Sequence, residues 1–173
     1  MADSFLKKIG WFLLLLLLQV LIFNHIHILR YATPMVIVYF TLLFPSSATR
    51  GSALIWSFAL GLIADTFSNT PGVAAFSLTF VAMVQPALLT LHSNRDEENE
   101  VLIPSMRTMG KSAYIRYLFS GVFIYECLFF LLETFSFFNW KDLLINIGSS
   151  TLLSILFLIA FESIRESGQH RVS

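Results

Sequence analysis

The sequence predicts an all-α, polytopic integral membrane protein of six transmembrane helices, folded as one domain over residues 1–173. Two observations carry that class. Apolar residues make up 56% of the chain and charged residues only 13%, where a soluble domain carries about 25% charge. The apolar residues also fall into solid runs near the length of roughly 20 that a helix needs to cross ~30 Å of hydrocarbon. Helices are expected because lipid offers no hydrogen-bond partner to an open strand. The net charge is zero, which argues against a nucleic-acid binder. The single cysteine, Cys127, makes no intrachain disulfide and no zinc cluster.

The first segment runs from about Phe5 to Asn24 and contains the leucine run Leu13 to Leu18. Lys7 and Lys8 before it give the look of a signal peptide. No small-residue cleavage pattern follows, however, so it reads as a retained span. The second segment, Tyr31 to Phe44, is short, with Thr33-Pro34 as its N-cap and first helical position. The third covers about Gly51 to Phe67 and the fourth Gly72 to Leu91, with Thr70-Pro71 as the cap and first turn of the fourth. Pro86 lies inside the fourth and frees the Ala82 carbonyl. The fifth runs from Ala113 to Phe138 and the sixth from Leu143 to Phe161. Between the fourth and fifth, residues 92–112 form a cytoplasmic loop, acidic from Asp96 to Glu100 and basic at Arg107 and Lys111. It reads either as a solvated loop with a short surface helix or as a docking segment.

Orientation follows from the basic residues. With the N-terminus in the cytoplasm and six crossings, the inner side holds Lys7, Lys8, Arg50, Arg95, Arg107, Lys111, Arg116, Arg165 and Arg171, and the outer side only Arg30 and Lys141. If the second segment did not cross, this bias would fail. Both termini are therefore expected in the cytoplasm.

Charged groups inside the membrane are functional candidates. Three acids qualify: Asp65, Glu126 and Glu133. Seven residues separate the glutamates, which places them about 20° apart on one helical face and roughly 10 Å apart along the axis. Glu126 matches the depth of Thr151 to Ser154 on the sixth segment, and Glu133 that of Asn146. Small and polar residues there favour interhelical hydrogen bonds. The glutamates read as protonated or hydrogen-bonded structural groups, as a partner-binding face, or as a proton or ion pathway. Asp65 stands in the outer part of the third segment, before the tight turn Ser68-Asn69-Thr70-Pro71-Gly72. It reads either as an acceptor for the backbone of that turn or as the mate of a partner's cation, with Arg30 an internal alternative. Gly61 lets a neighbouring helix approach closely. His25 and His27 are two apart and face apart on a helix, so they read as interfacial residues rather than ligands. No spacing suggests a nucleophile with its base, a P-loop, a metal site or a cofactor site, and Glu126 and Glu133 are too far apart axially to share acid–base work.

The stretch Pro34, Leu43-Phe44-Pro45, Gly61-Leu62-Ile63-Ala64-Asp65 and Ser68-Asn69-Thr70-Pro71-Gly72-Val73-Ala74-Ala75 resembles the bacterial rod shape-determining protein MreD family. The resemblance covers residues 34 to 84; elsewhere it rests on size and topology. It implies a non-enzymatic scaffold of the cell inner membrane, part of the elongation machinery for rod shape and peptidoglycan synthesis. The partners it implies are an MreC-like protein, the MreB filament, a RodA-type glycan polymerase and a class B penicillin-binding transpeptidase, with the lipid bilayer as solvent. It also implies a fold similar to the substrate-binding subunits of energy-coupling-factor vitamin transporters. Gly61, Asp65, Pro71 and Gly72 are the structural or partner-binding residues that it highlights, beside Glu126 and Glu133 from the reading of charge. The alternative function is a small-solute-binding transport subunit. Those subunits resemble one another in an alanine-x-x-x-alanine pattern on the first helix, and Ile9 to Phe23 contain no alanine.

Overall fold

The computed structural model describes residues 2–22, 33–93, 102–134 and 140–169. Among these every regular element is helical. Helix α1 spans Ala2–Leu17 and continues as one wider π turn, Leu18–Ile22. A single short turn, α2, covers Val38–Leu42. Long helices follow at α3 (Arg50–Ser68), α4 (Val73–His92), α6 (Lys111–Thr134) and α7 (Trp140–Gln169), with the one-turn α5 at Met106–Met109.

Helices α3, α4, α6 and α7 are each long and apolar enough to cross a membrane. Their surface supports the same reading. Ile55, Phe67, Met83, Leu91, Leu152 and Ile164 are at least 60% exposed, whereas Gln19, Asp65, Gln85, Glu126, Ser154 and Glu162 are no more than 4% exposed. Apolar outside and polar inside is the arrangement of a protein dissolved in lipid, where charge turns inward to find partners. The chain is thus a membrane protein with at least four helices of spanning length.

Helices α3 and α4 form a tight antiparallel hairpin. Asn69, with φ 57°, ends α3 in the left-handed conformation, and Gly72, with φ 83°, starts α4. Gly61 fixes the closeness of the pair: a Cβ placed on it would lie 2.5 Å from the Ala75 Cα. Gly121 does the same for α6, where an added Cβ would meet the Leu42 side chain. Helix α7 packs on α6, and the bonds of His92 to Ser120 and of Arg165 to Pro104 bring the chain ends of α4 and α7 to the starts of α6 and α5. Arg50, Arg107, Lys111, Arg116 and Arg165 therefore gather at one end of the bundle, and Lys141 stands at the other.

Three expectations are corrected. The second segment is not a helix from Thr33-Pro34; only Val38–Leu42 is helical, and Ile37 is at the N-cap. Its entry, residues 33–36, is buried irregular backbone held by side chains of other helices, which is where a membrane protein tolerates such chain. Thr70-Pro71 are not the cap and first turn of the fourth helix, which begins at Val73 because a carboxylate from α3 does the capping. The last helix extends past Phe161 to Gln169, since Glu162 is neutralised within it by Arg165. Arg30, His25, His27 and the acidic run of the 92–112 loop lie outside the described residues. The described part of that loop carries the short helix that the sequence allows.

The Gly61 contact makes a direct prediction. Gly61→Ala should push α3 and α4 apart and cost about 1–3 kcal/mol, read as a lower midpoint of thermal unfolding in detergent. Gly51→Ala, on the same helix with open space around it, should not lower the midpoint.

Candidate functional site

Helix starts expose N–H groups that the helix cannot satisfy itself. At α4 they are satisfied from outside. Asp65, three residues before the end of α3, accepts from the Ala74 amide at Oδ1 and from the Ala75 amide at Oδ2, both at 2.9 Å. The Thr70 hydroxyl donates to Oδ1 as well, at 2.9 Å. One carboxylate thus caps the next helix and pins the intervening turn, favoured also by the positive end of the α4 dipole. The acceptor role foreseen for Asp65 is present, but its donors lie just beyond the Ser68–Gly72 backbone. Pro71 and Gly72 shape the turn, and Gly61 sits one helical turn below Asp65 against the same two alanines.

The second construction surrounds the broken element at 33–44. At its entry the Thr33 amide donates to Ser150 Oγ at 3.1 Å, the Met35 amide to Ser154 Oγ at 2.8 Å and the Val36 amide to Gln19 Oε1 at 3.0 Å. Gln19 returns a bond through Nε2 to the Pro34 carbonyl at 3.3 Å. At its exit the Tyr117 hydroxyl donates to the Leu42 carbonyl at 2.8 Å, and Gln85 Nε2 to the Phe44 carbonyl at 3.0 Å. Side chains of α1, α4, α6 and α7 therefore supply what a continuous helix would have supplied to itself.

Glu126 joins this ring through Ser154, whose hydroxyl donates to Glu126 Oε1 at 2.9 Å. The contact expected between Glu126 and the Thr151 to Ser154 stretch is thus present, and Glu126 is fully buried. Glu133, in the last turn of α6, is exposed, so the two glutamates do not form one buried site.

The chain matches no protein-family model, no curated protein and no solved structure.

A third cluster holds the middle of the broken element, at Tyr39. Buried Glu162 takes a short hydrogen bond from the Tyr39 hydroxyl and an ion pair from Arg165 at 2.9 Å. Arg165 also donates to the Pro104 carbonyl at 3.4 Å, which ties the loop before α5 to α7. Sequence reasoning did not single out Glu162, Gln19 or Gln85. The available signals were a glutamine at the end of a leucine run, a glutamine preceding an intrahelical proline, and Glu162-x-x-Arg165 at the spacing of an internal helix pair. Among the described residues, no group of three histidine, cysteine or acidic side chains could hold a metal ion. These groups hold neighbouring backbone and side chains in place.

Two outcomes follow. Asp65 uses both oxygens as acceptors, so Asp65→Asn keeps one and turns an N–H donor towards an amide. It should be destabilised by about 1–3 kcal/mol, with Asp65→Leu worse, measured as the folded fraction recovered from membranes. Ser154→Ala should cost about 1–3 kcal/mol by orphaning the Met35 amide. Thr66→Ala, at an exposed position whose hydroxyl donates back to the Leu62 carbonyl of its own helix, should stay within about 0.5 kcal/mol.

Proposed function

We propose that this chain is a non-enzymatic scaffold of the bacterial cytoplasmic membrane, of the MreD type, acting in the machinery that elongates rod-shaped cells and directs peptidoglycan synthesis. The observation that carries the reading is the stretch from Pro34 to Ala75. Its family-like residues are those on which the architecture turns: Gly61 for helix approach, Asp65 for capping, Pro71 and Gly72 for the turn, and Pro34 to Pro45 for the broken element. The acids also support a scaffold, since Asp65 and Glu162 are committed to backbone, hydroxyl or cation partners, and Glu126 is buried against Ser154.

In this reading the chain crosses six times with both termini inside. The segments from Phe5 to Asn24 and from Tyr31 to Phe44 are the first two crossings, and the fold is similar to that of energy-coupling-factor substrate-binding subunits. The clustering of Arg50, Arg107, Lys111, Arg116 and Arg165 at one end supports the orientation. The apolar outer faces of α3, α4, α6 and α7 are then available to lipid and to the spans of MreC-like, RodA-type and transpeptidase partners.

A second reading, a small-solute-binding transport subunit, draws support from the broken element, because transport sites are commonly built at discontinuous helices. Depletion separates the two. A scaffold predicts that depleted rods round up and that the tagged full chain captures an MreC-like protein from native membranes. Normal shape, with capture of an ATPase module instead, would favour transport.

Topology has its own test. Membrane-impermeant thiol labelling from outside should reach Asn69→Cys and miss Asn94→Cys in a Cys127→Ser background. Labelling of position 94 from outside would refute the orientation.

A further inference from the structure

The hydrogen-bond inventory around Glu126 is not closed. Ser154 Oγ accepts from the Met35 amide, and its single hydrogen goes to Glu126 Oε1, the acceptor within reach. Glu126 Oε1 is therefore an acceptor. Glu126 Oε2 is buried and has no hydrogen-bond partner among the described residues, and the Thr151 hydroxyl one turn along α7 is in the same condition. No described cation pairs with Glu126. The groups around it are the Ser154 hydroxyl of α7, with the Thr151 hydroxyl one turn along, and Tyr125 and Cys127 on its own helix. None supplies a counter-charge. A bare carboxylate oxygen without partner or cation is the costliest group a protein can bury.

The geometry points to a resident proton on Glu126 Oε2. Glu126 is a neutral carboxylic acid that receives the Ser154 hydroxyl at Oε1 and carries its own hydrogen on Oε2. The chain of donors runs in one direction, from the Met35 amide through Ser154 to Glu126. The proton lets one serine serve two elements, holding the broken segment to α7 and α7 to α6, without a charge at the junction. Glu126 then acts as a fixed hydrogen-bonding post. This inference does not rest on the proposed function.

Infrared spectroscopy of the purified full chain in lipid bilayers, with glutamate carboxyls labelled by carbon-13, tests it. At about pH 7 an unperturbed glutamate, with a pKa near 4.3, is ionised. Wild type should nonetheless show the isotope-shifted carbonyl stretch of a carboxylic acid, retained in Glu133→Gln and Glu162→Gln and lost in Glu126→Gln. Glu126→Gln should also match wild type in folded yield, because an amide oxygen accepts from Ser154 as an acid carbonyl does. If Glu126→Gln does not fold, the wild-type spectrum together with the other two variants still decides. An acid carbonyl that survives both supports the proton; its absence from wild type overturns it, as does a Glu126→Gln spectrum that loses only carboxylate intensity.

Discussion

A backbone amide or carbonyl buried in hydrocarbon without a partner costs several kcal/mol. That constraint organises this molecule, because its chain breaks regular helix inside the bundle. Each break is met in the same way, by a polar side chain reaching across from another helix. Asp65 caps α4 from α3. Gln19, Ser150 and Ser154 receive the amides at 33–36, while Tyr117 and Gln85 satisfy the carbonyls at 42 and 44. The polar residues of the core are where they are because the backbone needs them there.

Close packing makes these reaches possible. Lipid is as apolar as leucine, so helices gain little from hiding leucines against one another, and small residues at the contact matter more. Gly61 brings α4 near enough for the Asp65 carboxylate to straddle two successive amides. Gly121 lets the Leu42 side chain seat against α6, which holds the exit of the broken element within range of Tyr117 and Gln85. At the other end of α7, the Glu162–Arg165 pair anchors Tyr39 and the Pro104 carbonyl, so the short α2 is gripped along its length.

Much of this was legible in the chain. The four long helices follow from apolar length. The Gly61 approach and the Asp65 hairpin follow from a carboxylate and a glycine one helical turn apart ahead of a turn sequence. The Glu126–Ser154 contact follows from counting depth inward along the fifth and sixth segments. What escaped has a common cause. Periodicity and hydropathy describe a helix that satisfies itself, so Tyr31 to Phe44 reads as a short span although neighbouring helices supply its end bonds. Gln19 directly follows the leucine run, in a segment that averages as lipid-facing. Glu162 falls just past the point where the apolar run ends, because a window stops at a charge that Arg165 cancels one turn later. Gln19 and Gln85, which partner backbone across space, leave no pattern along the sequence and were missed.

The dependence on cross-helix capping is most directly read by amide hydrogen exchange of the full chain in lipid bilayers. In wild type the Met35, Val36, Ala74 and Ala75 amides should be protected although none has a helical acceptor of its own. Ser154→Ala should release Met35 while leaving Ala74 and Ala75 protected, and Asp65→Asn should release one of Ala74 and Ala75 while leaving Met35 protected. Fast exchange of Met35 and Ala75 in wild type, or protection unchanged in both variants, would contradict the account.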